Sequence, residues 1–142
     1  MARIQDVLQG RNLYSVQENQ SVADVARHMA ELRIGAILVL EEGELRGLFS
    51  ERDLMTRVVV ERRDPESTPV RVVMTTNLAT VDESATLDEA LACMNQHNCR
   101  HLPVMRGKHA VGFISMRDLM TFELDQKTDE LNHLHHYMHG SA

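Results

Sequence analysis

The chain is short of cysteine, of long apolar runs and of positive charge, and each shortage removes a class of function. Its two cysteines, Cys93 and Cys99, are not in Cys-x-x-Cys spacing. With no apolar N-terminal stretch either, the expectation is a reduced, cytoplasmic setting. The longest aliphatic runs, such as residues 36–40, fall well below the roughly 20 residues of a membrane helix, so no membrane partner is expected. Fifteen Lys plus Arg against twenty-one Asp plus Glu give a net charge of −6. Such a surface repels a phosphate backbone on average, which argues against a nucleic-acid partner. Catalytic patterns are missing too: there is no nucleophile elbow, no Gly-x-x-x-x-Gly-Lys loop and no closed metal set. No residue stands out as a general base, and the chain is not expected to be an enzyme.

What is there is an internal repeat. The 142 residues, 43% apolar and 25% charged, suit one globular unit or two half-size units sharing a core. At an offset of 65, residues 12–55 align with 77–120 without a gap and are identical at 12 of 44 positions. Unrelated sequence of ordinary composition would match at about 3. The identities include Asn12/Asn77, Gly47/Gly112, Ser50/Ser115, Arg52/Arg117 and Asp53/Asp118. A unit this small buries little alone, so the two copies are expected to pack together.

Each copy changes periodicity in the same order. A short apolar stretch (13–16; 78–81) precedes a helical pattern (Val22, Val25, Ala26, Met29, Leu32; Leu87, Ala90, Leu91, Met94). Two strands about a polar turn follow, over 35–49 and 101–114, and a second helix starts after Ser50 and after Ser115. The unit reads as β-α-β-β-α, an α/β (α+β) fold. The stretch 61–69, polar and carrying Pro65 and Pro69, separates the copies because proline cannot continue a helix. The expected segments are repeat 1 over 7–62, a linker over 63–71, repeat 2 over 72–126 and a helical tail over 127–142.

Each unit ends in Gly-apolar-apolar-Ser-x-x-Asp: Gly47-Leu48-Phe49-Ser50-Glu51-Arg52-Asp53 and Gly112-Phe113-Ile114-Ser115-Met116-Arg117-Asp118. With Val72-Val73-Met74-Thr75 and Arg100-His101-Leu102-Pro103-Val104, this resembles a tandem pair of CBS (cystathionine β-synthase) domains, as in small stand-alone bacterial proteins. The resemblance implies two repeats packed as a pseudo-symmetric pair with a C-terminal helical extension. It further implies a homodimer and a regulatory module that binds an adenosine-containing ligand between the repeats: AMP, ADP, ATP, NADH or S-adenosylmethionine. The regulated protein partner is not implied.

The residues support such a ligand on chemical grounds. An Asp in the first turn of a helix offers two oxygens to a ribose diol. The helix start offers backbone N–H groups and the positive dipole end to a phosphate, with Ser50 and Arg52, or Ser115 and Arg117, beside it. Gly47 and Gly112 lack Cβ and leave room for a flat base, with strand edges at 36–38 and 101–102 for its hydrogen bonds. Ser-x-x-Asp is equally a helix capping box. Six Ser/Thr-x-x-Asp/Glu matches occur, at Ser15, Ser21, Ser50, Thr80, Thr86 and Ser115; only those at Ser50 and Ser115 follow Gly-apolar-apolar and carry Arg before the Asp.

By the same resemblance, Thr75 and Asn77 stand where a ligand-contacting hydroxyl and amide occur; the alternative is a turn that caps itself. Asn12 repeats Asn77, but Gly10 and Arg11 replace the expected Thr, so the two clefts are expected to differ. His101 can stack on or hydrogen-bond a ligand, or serve as an ordinary strand histidine. Cys99 aligns with Ile34 and reads as a packed thiol. The tail holds His133, His135, His136 and His139. His135 and His139 are one helical turn apart, but no carboxylate or thiol completes a site. Leu124, Leu131, Leu134 and Met138 lie near one helical face, which favours a packing helix. Two other readings remain at this level: an interaction scaffold without nucleotide, and a metal-responsive sensor using the tail histidines and Cys99.

Overall fold

In the computed structural model, the backbone is described for residues 1–139 and the side chains for residues 1–135. Of the tail residues singled out above, His136, Met138 and His139 have side chains outside the described set.

Short α1 (Ile4–Leu8) leads into β1 (Ser15–Val16), α2 (Val22–Leu32), β2 (Ala36–Glu41) and β3 (Glu44–Ser50). The second copy repeats the order with α4 (Val70–Val73), β4 (Val81–Asp82), α5 (Leu87–His97), β5 (His101–Arg106) and β6 (His109–Ser115). The matching helices have matching ends. The Ser21 hydroxyl accepts from Asp24 N–H at 3.1 Å, and the Thr86 hydroxyl from Glu89 N–H at 3.1 Å, each satisfying a donor that the first turn leaves unpaired. Both helices stop on a left-handed residue, Arg33 (φ 57°) and Asn98 (φ 52°), whose N–H turns back to the last-turn carbonyls.

The strands form one sheet in the order β1-β2-β3-β6-β5-β4. Within each copy the two long strands are antiparallel, running from Ala36↔Ser50 to Glu41↔Glu44 and from His101↔Ser115 to Arg106↔His109. Each hairpin has a register shift at the same place, after Val39 and after Val104. β1 and β4 each add in parallel to their hairpin. The halves join through Glu44↔His109, two residues related by the repeat offset, so the pseudo-twofold axis runs through that pair.

There are two cores, and each borrows from the other copy. Val16, Val22, Val25, Ile37, Phe49 and Val58 pack with Val70 and Val73 of α4, whereas Leu87, Met94, Leu102, Ile114 and Leu119 pack with Ile4 and Val7 of α1. Backbone bonds hold the exchange, from Ile4 N–H to the Ala85 carbonyl (2.9 Å) and from Val70 N–H to the Gln20 carbonyl (2.8 Å). Burying Ile4 or Val7 stabilises the far core by about 1.5–3 kcal/mol each. The segment boundaries read from sequence therefore do not coincide with the units of packing: Val7 sits in the second core and Val73 in the first.

The closing helices differ. After Ser50, α3 (Glu51–Asp53) passes into a π-helix over Leu54–Val59 and the chain turns at left-handed Arg62 toward the linker. After Ser115, α6 (Met116–His139) continues for 24 residues, so the expected tail helix is one piece with the last helix of the repeat. Both first strands are shorter than their apolar stretches, at Ser15–Val16 and Val81–Asp82; in the first copy Leu13 and Tyr14 leave the sheet to line a cleft. No helix among the described residues is long and apolar enough to cross a membrane.

Candidate functional site

Both Ser-x-x-Asp motifs are reciprocal caps. β3 delivers Ser50 in an extended conformation, its hydroxyl accepts from Asp53 N–H (3.1 Å), and Asp53 Oδ2 accepts from Ser50 N–H (3.1 Å). At the other copy the Ser115 hydroxyl accepts from Asp118 N–H (3.0 Å), and Asp118 Oδ2 accepts from Ser115 N–H (2.8 Å). At Ser50 and Ser115 the capping-box reading holds. What surrounds the two carboxylates is different.

Asp118 opens on a cleft of about 640 Å³, a volume within the ordinary range for small-ligand sites. One wall is the segment from Gly10 to Tyr14 together with the turn from Arg33 to Ala36; the other is His101, Phe113, Ser115, Arg117 and Asp118. Arg11 Nη1 lies 3.1 Å from Asp118 Oδ2, with side chains 42% and 28% exposed. Burial alone would raise the Asp118 carboxyl; the Arg11 guanidinium and the bonds from Ser115 outweigh it and hold the group below its ordinary value. Arg11, Arg33 and Arg117 line the cleft together with a single carboxylate residue, Asp118, so a chain of net charge −6 carries a locally cationic cleft.

His101 is stacked on Phe113, with ring centroids 5.3 Å apart and planes 16° from parallel. Partial burial pushes its imidazole below the ordinary value, against the pull of Asp118 and with help from Arg100. It therefore offers a neutral ring to the cleft near pH 7. Cys99 packs at the edge of the second core, and burial pushes its thiol up, away from the reactive thiolate.

Asp53 is closed in. It is 8% exposed, and the Thr75 hydroxyl donates toward both carboxylate oxygens at 3.3 and 3.4 Å while Arg57 Nε lies 3.6 Å from Oδ1. Thr75 is fixed by a two-way backbone bridge to Leu48, at 2.9 and 2.8 Å. Ser50, Asp53 and Thr75 thus come together, away from the Asp118 cleft, while Arg52 and Asn77 are exposed and make no hydrogen bond to that cluster. Of the residues singled out from sequence, His101, Ser115, Arg117 and Asp118 share the open cleft; Ser50, Arg52, Asp53, Thr75 and Asn77 do not line it.

One expectation is corrected. A Cβ on Gly47 would meet Met74 Sδ at 2.6 Å and the Thr75 carbonyl oxygen at 3.0 Å, and one on Gly112 would meet Leu8 Cδ1 at 2.5 Å. At Gly47 the close approach is taken by the chain itself, through the segment that leads into β4; at Gly112 only the end of the Leu8 side chain lies close, and Gly112 still lines the Asp118 cleft. Sequence reasoning missed Arg33 and Tyr14. Arg33 looks like a plain helix end, and Tyr14, 41% exposed, sits in what reads as a strand. Among the described residues no group of three His, Cys, Asp or Glu is placed to hold a metal ion.

Two β-α-β-β-α units joined edge to edge, with a polar cleft walled by both, define a tandem-repeat module. The chain belongs to the CBS domain family, whose model matches residues 4–60 and 70–125. It is 32% identical over 114 residues to the CBS domain-containing protein YhcV of Bacillus subtilis, a match covering 80% of this chain and 81% of that one. A solved protein with CBS domains from Burkholderia ambifaria has TM-score 0.79 and 33% identity, covering 87% of this chain and 95% of the other. A CBS domain protein from Pyrobaculum aerophilum, solved in complex with AMP, has TM-score 0.74 and 27% identity, covering 82% and 89%.

Proposed function

We propose that the protein is a non-catalytic regulatory sensor whose Asp118 cleft binds an adenosine-containing ligand. The observation that carries this is the convergence, in one cleft of about 640 Å³, of the Asp118 carboxylate, the Ser115-capped start of α6 and the side chains of Arg11 and Arg117. Asp118 accepts from the ribose hydroxyls. The first turn of α6, whose dipole is the sum of a long helix, takes a phosphate with Ser115 and Arg117. Tyr14 and the backbone at Gly35 and Ala36 offer a face and an edge to the base. The AMP complex of the Pyrobaculum aerophilum relative supports the ligand class.

The output requires a partner. Met55 and Val59 are exposed on the first closing helix, and Met120 and Leu124 occupy the repeat-related positions on α6. Such a two-part apolar surface suits a homodimer. Ligand in the cleft bridges both copies, so binding shifts how they pack and what the surface presents to a regulated protein. Light scattering on a size-exclusion column should give twice the 16.1 kDa chain mass; a single-chain mass at tens of micromolar protein defeats the dimer.

Urea melts with and without AMP, ATP, NADH and S-adenosylmethionine test the site itself. Ligand at 100 times its Kd should add about 2.7 kcal/mol to the parent. Glu89→Ala, at a helix start remote from the cleft whose backbone bond to Thr86 it leaves in place, should keep that gain, and Asp118→Ala should lose most of it. Equal gains in both variants, or no gain in the parent with any of the four, would overturn the assignment.

A further inference from the structure

The two copies answer the same problem differently: what to place against the capping carboxylate when no ligand is there. In one copy the segment leading into the first strand carries Thr75, whose hydroxyl donates to Asp53. The corresponding position in the other copy is Gly10, with φ +78° and no side chain to donate. The following residue, Arg11, fills the gap with its guanidinium, 3.1 Å from Asp118 Oδ2 and inside the cleft. A neutral, short hydroxyl has been exchanged for a long, permanently charged group.

That charge constrains the ligand. A ribose diol that takes both oxygens of Asp118 has to displace Arg11 from Oδ2. A ligand carrying phosphate gives Arg11 a new anion in the same cleft, so the ion pair is exchanged and not lost. An uncharged nucleoside strands the guanidinium beside Arg33 and Arg117. A sulfonium ligand such as S-adenosylmethionine adds a further cation to that group, although its carboxylate can partly compensate. We infer that Arg11 is the specificity-determining residue of the cleft, holding Asp118 until a ligand brings ribose and phosphate together, and so selecting phosphorylated nucleosides over bare ones. This rests on the reading of Asp118 as the ribose acceptor.

Isothermal titration of the full chain with adenosine, AMP and ADP tests it, using the parent, Arg11→Gln and Arg11→Lys. The parent should bind AMP and ADP at least about tenfold more tightly than adenosine, the ratio set by one charge-assisted pair. In Arg11→Gln the two ligand types should move in opposite directions: adenosine tightens because Asp118 is released, and AMP weakens because its counter-ion is gone. Arg11→Lys should recover much of the preference. A structural role for Arg11 cannot produce opposite signs. Equal weakening of adenosine and AMP, or an unchanged ratio, in an Arg11→Gln protein that still binds AMP overturns the inference alone. A parent that binds none of the three ligands removes the ribose reading and the inference with it.

Discussion

Asp53 and Asp118 are the same residue of the same motif, each capping the helix that follows its copy's hairpin, yet one is sealed and the other faces a cleft. Both make the same reciprocal pair of bonds, between 2.8 and 3.1 Å. The divergence comes from elsewhere in the chain. Met74 and Thr75 close over Gly47 and Asp53, whereas Leu8 covers Gly112 but Gly10 and Arg11 leave Asp118 reachable. In this pair, the repeated motif supplies a helix start, and the segment leading into the other strand decides whether that start is available to a ligand.

The largest expected effect that can break this comparison is in stability without ligand. Asp53→Ala removes the cap acceptor, leaves the Thr75 hydroxyl without its partner and costs Arg57 its ion pair while its bonds to the Val73 and Met74 carbonyls remain, for about 2–3 kcal/mol in all. Asp118→Ala, at a site with 28% side-chain exposure, should cost about 1 kcal/mol. Urea denaturation of both variants measures the difference, and equal costs would mean that the two carboxylates share one role. Next in size, Thr75→Val keeps the shape and deletes the hydroxyl, which should cost about 1 kcal/mol. The mirror change at Gly10 is not available, since a β-branched residue is strained at φ +78°.

The smallest effect is in pH dependence, and it sharpens the contrast at Asp118. Its native carboxyl titrates below the ordinary 3.8, so its contribution is fully present above that value and is lost as pH falls through the lower native one. Asp118→Asn should flatten the acid limb of stability against pH, measured by urea melts at stepped pH. His101 works in the same direction at higher pH. Its native imidazole titrates below 6.5, so its contribution is present above 6.5 and declines as pH drops through the native value.

The elements were legible because their signals are local. Val22, Val25 and Met29 recur at helical spacing and are buried, as are Leu87, Ala90 and Met94, and the offset of 65 reappears in the hairpin register and in its bulge. The motif residues Ser115, Arg117 and Asp118 were found in the cleft for the same reason. What sequence did not reveal depends on which distant segments meet. Ile4 and Val7 announce an apolar face as Val70 and Val73 do, but nothing in their spacing says that each pair belongs to the other copy's core. Arg11 was visible as a departure from the repeat, while its pairing with Asp118 required the fold that brings α1 onto β6 and α6. Arg33 and Tyr14 carry no pattern beyond a helix end and a strand.

The exchange of α1 and α4 also sets an order of events for the folding chain. The first core, built from residues early in the sequence, stays open until Val70 and Val73 have arrived to close it. The second waits for nothing downstream of Phe122, but it must retrieve Ile4 and Val7 from far upstream, where their apolar face has had no partner. Native contacts of such long sequence separation slow the search for the folded state. Once made, they tie the halves into one cooperative unit, so that neither repeat can melt without opening the core of the other.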